Sequence, residues 1–374
     1  MRFLPLLIVI LALTGCVPAD TELVRTIEQW ESLPNKPENV RRYVCGGAGV
    51  SRLLVYLDGT ERLAAVESTD ASPASWFAPY RAAHPELQKL PIYSSGHGHD
   101  QIEKLLSLQP LPDVIFRLDL QGMGVTAEEL QRRTGIPIVL LPNCDLHTER
   151  QTLYNTLRLL GRILKREQRA EEIITFFDSE IANLEKRSVD IDTEKSPLVY
   201  IGGISYRGMQ GLNSTMTPFP PLEWLHSKNA ADSLIREGKK TPSSSPIAVC
   251  NEQILMWNPD VIFVDAASLS LGNSSGLAEL HTSEIYRSLK AVKNKQVYLL
   301  LPNSSYSANY SSQLANAWFI GKTLYPDRFA DIDPPQKADE IFTFLTGSPV
   351  FNSINEKIKQ ITQKEAGALA PATE

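Results

Sequence analysis

Apolar residues recur along this chain in two rhythms, and the rhythms alternate. Short apolar runs at Tyr43-Val44-Cys45, Leu63 to Glu67, Leu90 to Tyr93, Asp113 to Phe116 and Ile136 to Leu141 have the length and punctuation of buried strands. Between them lie stretches with helical spacing, such as Val50 to Leu57 and Thr126 to Thr134. Alternation of this kind predicts a mostly parallel sheet covered by helices. From 148 to 188 the strand signal stops. Tyr154, Leu157, Leu160, Ile163 and Leu164 recur at helical spacing, as do Ile173, Ile174, Phe176, Phe177, Ile181 and Leu184. Gly161 and Arg166-Glu167-Gln168 divide this stretch into two helices. The second, over 166–188, is roughly 30 Å long at about 1.5 Å per residue. Alternation then restarts, with strands at Leu198 to Gly202, Val261 to Val264 and Gln296 to Leu300 and a helix at Tyr310 to Leu324.

The two alternating regions echo each other. Glu103 to Leu108 leads into Pro112-Asp113-Val114-Ile115-Phe116, and Glu252 to Trp257 leads into Pro259-Asp260-Val261-Ile262-Phe263. In each, an amphipathic helix breaks at Pro-Asp and enters a buried strand. The predicted fold is α/β, with two Rossmann-like lobes of parallel sheet joined by one long helix and a cleft between them. The expected boundaries are 39–165 for the first lobe, 166–188 for the helix, 189–350 for the second lobe and 351–374 for a C-terminal helix and tail.

The N-terminus carries a different signal. Met1-Arg2 precedes an apolar run from Phe3 to Leu13, too short to span a bilayer, and Leu13-Thr14-Gly15-Cys16 follows. This pattern resembles a bacterial lipobox, which implies removal of 1–15 and lipid attachment at Cys16. Acyl chains there would anchor the chain to a membrane. Residues 16–38, with Pro18, Pro34 and Pro37, read as a lipidated tether and entry segment, the ordered chain beginning near Tyr43. Export places the remaining Cys45, Cys144 and Cys250 where thiols oxidise. Cys45 and Cys144, each placed just past a first-lobe strand, can pair, or all three are small buried or half-buried residues.

Composition narrows the function. The 374 residues are 43% hydrophobic and carry a net charge of -6. With no basic stripe, a nucleic-acid partner is excluded from the reading. Gly272-Asn273-Ser274-Ser275-Gly276 spells a nucleophile elbow, which would make the chain an exported hydrolase. The elbow needs a strand directly before it, and the nearest ends near Val264, so the expectation is a protein that is not an enzyme.

Beyond these patterns, a family resemblance covers roughly 40–345. It rests on Val44-Cys45-Gly46-Gly47-Ala48-Gly49 leading into Arg52 to Leu57, on Glu103 with Pro112 to Phe116, and on Gly135 to Val139. Tyr154 to Gly161, Tyr200 to Tyr206, Asn213-Ser214-Thr215, Leu225 to Asp232, and Asn309-Tyr310 running on to Pro326 extend it. The chain resembles the iron-complex and cobalamin periplasmic-binding proteins, substrate receptors of ABC importers. The resemblance implies a monomeric, lipid-anchored receptor on the extracytoplasmic side of the membrane. It would take an iron chelate (siderophore-like), haem or cobalamin in a preformed cleft and hand it to an ABC permease and its ATPase. It implies no covalent cofactor beyond the lipid on Cys16. Docking in this family uses an acidic residue on each lobe, and Glu103 and Glu223 are the candidates.

Ligands of open α/β sheets sit beyond the carboxyl ends of the strands. The predicted loops there supply Trp76, His97, His99, Arg117, Tyr206, Arg207, Asn303 and Tyr306. Arg117 and Arg207 would pair with an anionic chelate, and Trp76, Tyr206 and Tyr306 would stack on it. His97 and His99, two residues apart with Asp100 beside them, are also candidate metal ligands and support an alternative reading as a bare metal-ion receptor.

Overall fold

The computed structural model describes residues 23–368, apart from 35, 48, 97–98, 120–123, 193–194, 207, 239–244 and 306. Cys16 and residues 1–15 lie outside the described residues. After a short helix α1 (Ile27–Ser32), the first lobe runs β1 (Tyr43–Gly46), α2 (Val50–Tyr56), β2 (Leu63–Glu67), α3 (Pro79–Ala83), β3 (Ile92–Ser94), α4 (Ile102–Leu106), β4 (Val114–Leu118), α5 (Ala127–Thr134) and β5 (Ile138–Leu141). Its five strands form one parallel sheet in the order β3-β2-β1-β4-β5. Every residue of β1 and β2 is buried, because helices cover both faces. Helix α2 is buried all round, as its nearly unbroken apolar sequence requires.

Two long helices follow, α6 (Arg150–Leu164) and α7 (Glu167–Ser188). The second has 22 residues and touches both lobes. Near its start Arg169 Nε donates to Tyr56 O at 2.9 Å, and farther along Glu180 accepts from Trp318 Nε1 at 2.7 Å and Lys337 Nζ at 2.8 Å. Phe177, between these points, meets the rings of both Tyr56 and Tyr310.

The second lobe runs β6 (Val199–Gly202), β7 (Ser214–Thr215), α8 (Pro220–Glu223), α9 (Asp232–Arg236), β8 (Ile247–Ala248), α10 (Asn251–Trp257), β9 (Val261–Asp265), α11 (Gly276–Thr282), α12 (Lys290–Lys293), β10 (Val297–Leu300), β11 (Ser304–Ser305), β12 (Ser307–Ala308) and α13 (Tyr310–Leu324). Then come α14 (Pro334–Thr346) and α15 (Phe351–Ala368). Its sheet is smaller, three parallel strands in the order β10-β9-β6. Two short antiparallel pairs, β7 with β8 and β11 with β12, carry no signal in the apolar pattern.

The echo between the halves has a structural meaning. Asp113 precedes β4, and its Oδ2 accepts from the backbone N–H of Arg41 and Arg42. Asp260 precedes β9, and its Oδ2 accepts from the N–H of Leu198. Each aspartate thus ties the start of one parallel strand to the lead-in of its neighbour.

One expectation is corrected and one open alternative is decided. The ordered chain begins well before Tyr43: Leu23, Val24 and Trp30 are buried, and Val24 pairs in parallel with Val139 on the free edge of β5. Pro34 lies in a turn and Pro37 is half-buried, both in chain continuous with this packed segment; Pro18 lies outside the described residues. Cys45 and Cys144 do not pair, and both are buried free thiols. Cys45 lies within β1, and Cys144 follows β5, two places away across β4. That is roughly 10 Å at the usual strand spacing, beyond the reach of a disulfide.

Candidate interlobe ligand site

The order of the first sheet reverses between β1 and β4, so the crevice beyond their carboxyl ends is the natural ligand position. Gly47 turns there with φ of 88°, and a side chain at this position would run into Leu118. Glu67, at the end of β2, accepts from Gly47 N at 2.5 Å. Burial lifts the Glu67 carboxyl to about 7, and its second oxygen has no partner among the described residues. In the second lobe Asp265 ends β9 and accepts from the N–H groups of Ala267 and Asn303, each at 2.8 Å. Burial lifts its carboxyl to about 7 as well. Each lobe therefore uses one buried carboxylate to fix a loop at the carboxyl edge of its sheet.

These edges face one another. The segment after β10, from Asn303 to Asn309, reaches into the first lobe. Buried Arg52 donates to Ser307 Oγ at 2.9 Å, to Ala308 O and to Asn309 Oδ1 at 2.6 Å. Arg81 donates to Thr69 O at 2.6 Å and to Ser305 Oγ at 3.1 Å, and Asn309 Nδ2 donates to Phe77 O at 2.9 Å. Gly49 lies so close to Ser307 that a Cβ on it would sit 1.8 Å from Ser307 Oγ. The two lobes meet in a seam built from the loop after β1, helices α2 and α3, the turn near Phe77 and the loop after β10, and α14 and α15 also pack across it.

The sequence candidates take distinct places around this seam. Trp76 is half-buried and stacks on Phe77, with ring centroids 4.1 Å apart. Tyr206, 45% exposed, stands on the loop after β6. His99 is exposed, in the turn after β3. Arg117 points into its own lobe, where Nη2 lies 3.0 Å from Asp100 Oδ2 and also donates to Val125 O. Its charge is already met by a buried carboxylate. Asn303 is also turned inward, its amide held by Gln313 Nε2 at 3.0 Å and against Met216 Sδ. His97, Arg207 and Tyr306 lie outside the described residues. Among the described residues, no group of three His, Cys, Asp or Glu is arranged to hold a metal ion.

The docking candidates differ. Glu103 sits on the first turn of α4, 82% exposed in its side chain, with Arg133 3.3 Å away. Glu223 is half-buried at the end of α8, and burial followed by neighbouring Asp232 raises its carboxyl to about 7. Ser274 precedes α11 in a turn separated from β9 by eight residues, 266–273, so the strand–turn–helix of an elbow is not formed.

The pattern of the whole chain decides its kinship. The model of a family described as periplasmic binding protein matches residues 44–303. The chain belongs to that family. No curated protein matches it. Among solved structures of periplasmic binding proteins, the molybdate-binding MolA of Haemophilus influenzae is similar with a TM-score of 0.63 at 19% identity, over 83% of this chain and 94% of MolA. A periplasmic solute-binding protein of Veillonella parvula gives 0.63 at 17% identity, over 88% and 95% of the two chains. The periplasmic haem-binding protein HutB of Vibrio cholerae gives 0.54 at 21%, over 76% and 99%. At these identities the likeness is one of fold.

Sequence reasoning missed the seam residues of this periplasmic binding protein. Arg52 was visible as the one charge within the apolar run Val50 to Tyr56. An arginine there must find partners inside the protein. Arg81 and Glu67 gave no such signal.

Proposed function

We propose that this periplasmic binding protein is the lipid-anchored receptor of an ABC importer, which captures an iron chelate, haem or cobalamin between its lobes and presents it to the permease. The observation that carries this reading is the meeting of the two carboxyl edges at one seam, in a chain of this family. Ligands of parallel α/β sheets bind at such edges. The similar structures with a named ligand support a small metal-bearing cargo: molybdate for MolA and haem for HutB. Helix α7, fixed to both lobes, favours a stiff receptor whose pocket is largely preformed. Trp76 with Phe77 offers an aromatic rim on one side, and exposed Tyr206 another aromatic on the second lobe. Cys16 would carry the acyl chains that hold the receptor at the extracytoplasmic face. No described helix is long and apolar enough to cross a membrane. Glu103 is the first-lobe contact for the permease, its exposure leaving it accessible.

The test is thermal stability of residues 17–374 against ferric siderophores, haem, cobalamin, molybdate and bare divalent metals. A ligand at about 100 times its dissociation constant stabilises by about 2.7 kcal/mol. A shift with one chelate class, diminished by Trp76→Ala or Tyr206→Ala, is the expected result. A shift with bare metal alone, or with nothing in the panel, overturns the chelate reading.

A further inference from the structure

A cavity of about 550 Å³ lies between α15, which on another side packs against the turn near Phe77, and the flank of the second lobe. Its described lining comes from β10 and Leu301, from α13, from the start of α14 and from one face of α15, with none from the first lobe. The volume falls within the range of small-molecule pockets, about 300–1,000 Å³. The wall is almost wholly hydrocarbon, with Leu299, Leu301, Phe319, Pro334, Pro335 and Phe351 prominent.

The few polar groups in the wall are engaged or lie toward solvent. Asn316 spends its amide on both backbone groups of Leu301, at 3.0 and 2.9 Å. The Thr362 hydroxyl donates to Ile358 O at 2.8 Å. A chelate or sugar placed here would leave its own polar atoms unpaired. Among the described lining only Lys359 offers a charge. It lines the cavity on the exposed side of α15, its ammonium 2.9 Å from Glu356 in a solvent-exposed pair that a ligand can replace at little cost. Hydrocarbon walls with one cation at an open end suit a molecule with a hydrocarbon tail and an anionic head.

We propose that this cavity is a second binding site, distinct from the interlobe site, for a single-chain carboxylate amphiphile of the fatty-acid class. The tail lies against β10, α13 and the proline pair at the start of α14, and the carboxylate meets Lys359. The site is independent of the chelate reading, because none of its described lining comes from the first lobe or from Asn303 to Asn309.

The experiment is isothermal titration of dodecanoic acid, dodecanol and haem into the full chain carrying Cys16→Ser. Dodecanoic acid should bind at a single site. Asn355→Trp, which fills the cavity from the half-buried face of α15, should abolish binding. Lys359→Glu, at an exposed position that leaves folding intact, should weaken dodecanoic acid by roughly three- to tenfold and leave dodecanol unchanged. Any chelate that binds at the seam should still bind the dodecanoate-loaded protein. The proposal is overturned if the folded chain takes up no dodecanoic acid, if uptake survives Asn355→Trp, if Lys359→Glu affects acid and alcohol alike, or if haem displaces the acid. Failure of the whole chelate panel with dodecanoate still bound would sink the receptor reading and leave this one standing.

Discussion

Arg52 and Asn309 hydrogen-bond across the lobe boundary, Nη2 to Oδ1 at 2.6 Å, although 257 positions separate them in the chain. Both side chains are buried, Asn309 completely. No carboxylate neutralises Arg52 among its described partners. It is held by a hydroxyl, a carbonyl and an amide oxygen, and its guanidinium lies 5.2 Å from the centroid of Tyr80 and 5.9 Å from that of Tyr310. Asn309 turns its Nδ2 to Phe77 O and Pro302 O, each at 2.9 Å. The pair therefore joins helix α2, the aromatic turn and the loop after β10 in one network.

Removal of the arginine should be costly. Arg52→Ala would strip acceptors on Ala308 and Asn309 of their donor inside the protein and open space between two rings. The expected loss is on the order of 3 kcal/mol. Urea unfolding measures it. A loss below about 1 kcal/mol would mean that the seam contributes little to holding the lobes together.

Glycines at Gly49 and Gly135 separate two kinds of constraint. Both have positive φ, 93° and 68°. A Cβ on Gly135, which caps α5, meets nothing within 4 Å, so Gly135→Ala carries only the backbone cost, about 1 kcal/mol. A Cβ on Gly49 collides with Ser307 across the seam and approaches Arg52. Gly49→Ala should cost at least twice as much, and small-angle scattering should show the lobes spread. Equal losses for the two variants, with no change in shape, would show that the seam yields freely.

The elements of both lobes were legible because each core strand is a short apolar run between breakers, and α7 because its apolar residues keep helical spacing to Leu184. The seam was not legible. Its partners lie hundreds of positions apart, and nothing local in Ser304 to Asn309 marks it as the segment that enters the first lobe. Arg117 was read as a ligand contact because it ends a strand at the right edge. The structure gives it a buried partner in Asp100, which in the sequence stands out only as the carboxylate beside His97 and His99. The entry segment was misread for a related reason. Its polar residues and its prolines read as a tether, while the spacing of Val24, Ile27 and Trp30 that packs it is short and easily passed over.

Glu67 makes stability depend on pH. Unfolded, its carboxyl titrates near 4.5, and folded, burial lifts it to about 7. Between these values the folded chain keeps a proton that the unfolded chain has released. Stability present below about pH 4.5 is therefore lost as pH rises toward 7. Asp265 acts in the same direction. Glu67→Gln keeps an acceptor for Gly47 N–H and removes the titration. Relative to the parent chain it should gain stability, on the order of 2–3 kcal/mol, between about pH 5 and pH 8. Unfolding curves across that range provide the check, and parallel pH profiles for the two proteins would show that Glu67 takes up no proton on folding.

The cysteines supply a test of the sheet order itself. Cys45 and Cys144 are buried free thiols, and Cys250 is exposed ahead of α10. Burial raises the thiols of Cys45 and Cys144, the latter to about 12, so neither forms the reactive thiolate at neutral pH. In residues 17–374, which lack Cys16, an aromatic disulfide reagent should therefore modify Cys250 alone in the native state. All three thiols should react after unfolding in denaturant without reductant. Recovery of only one thiol after unfolding would mean that Cys45 and Cys144 had paired. With the strands in the order found, β4 lies between them, and that pairing would require the first-lobe sheet to be arranged differently.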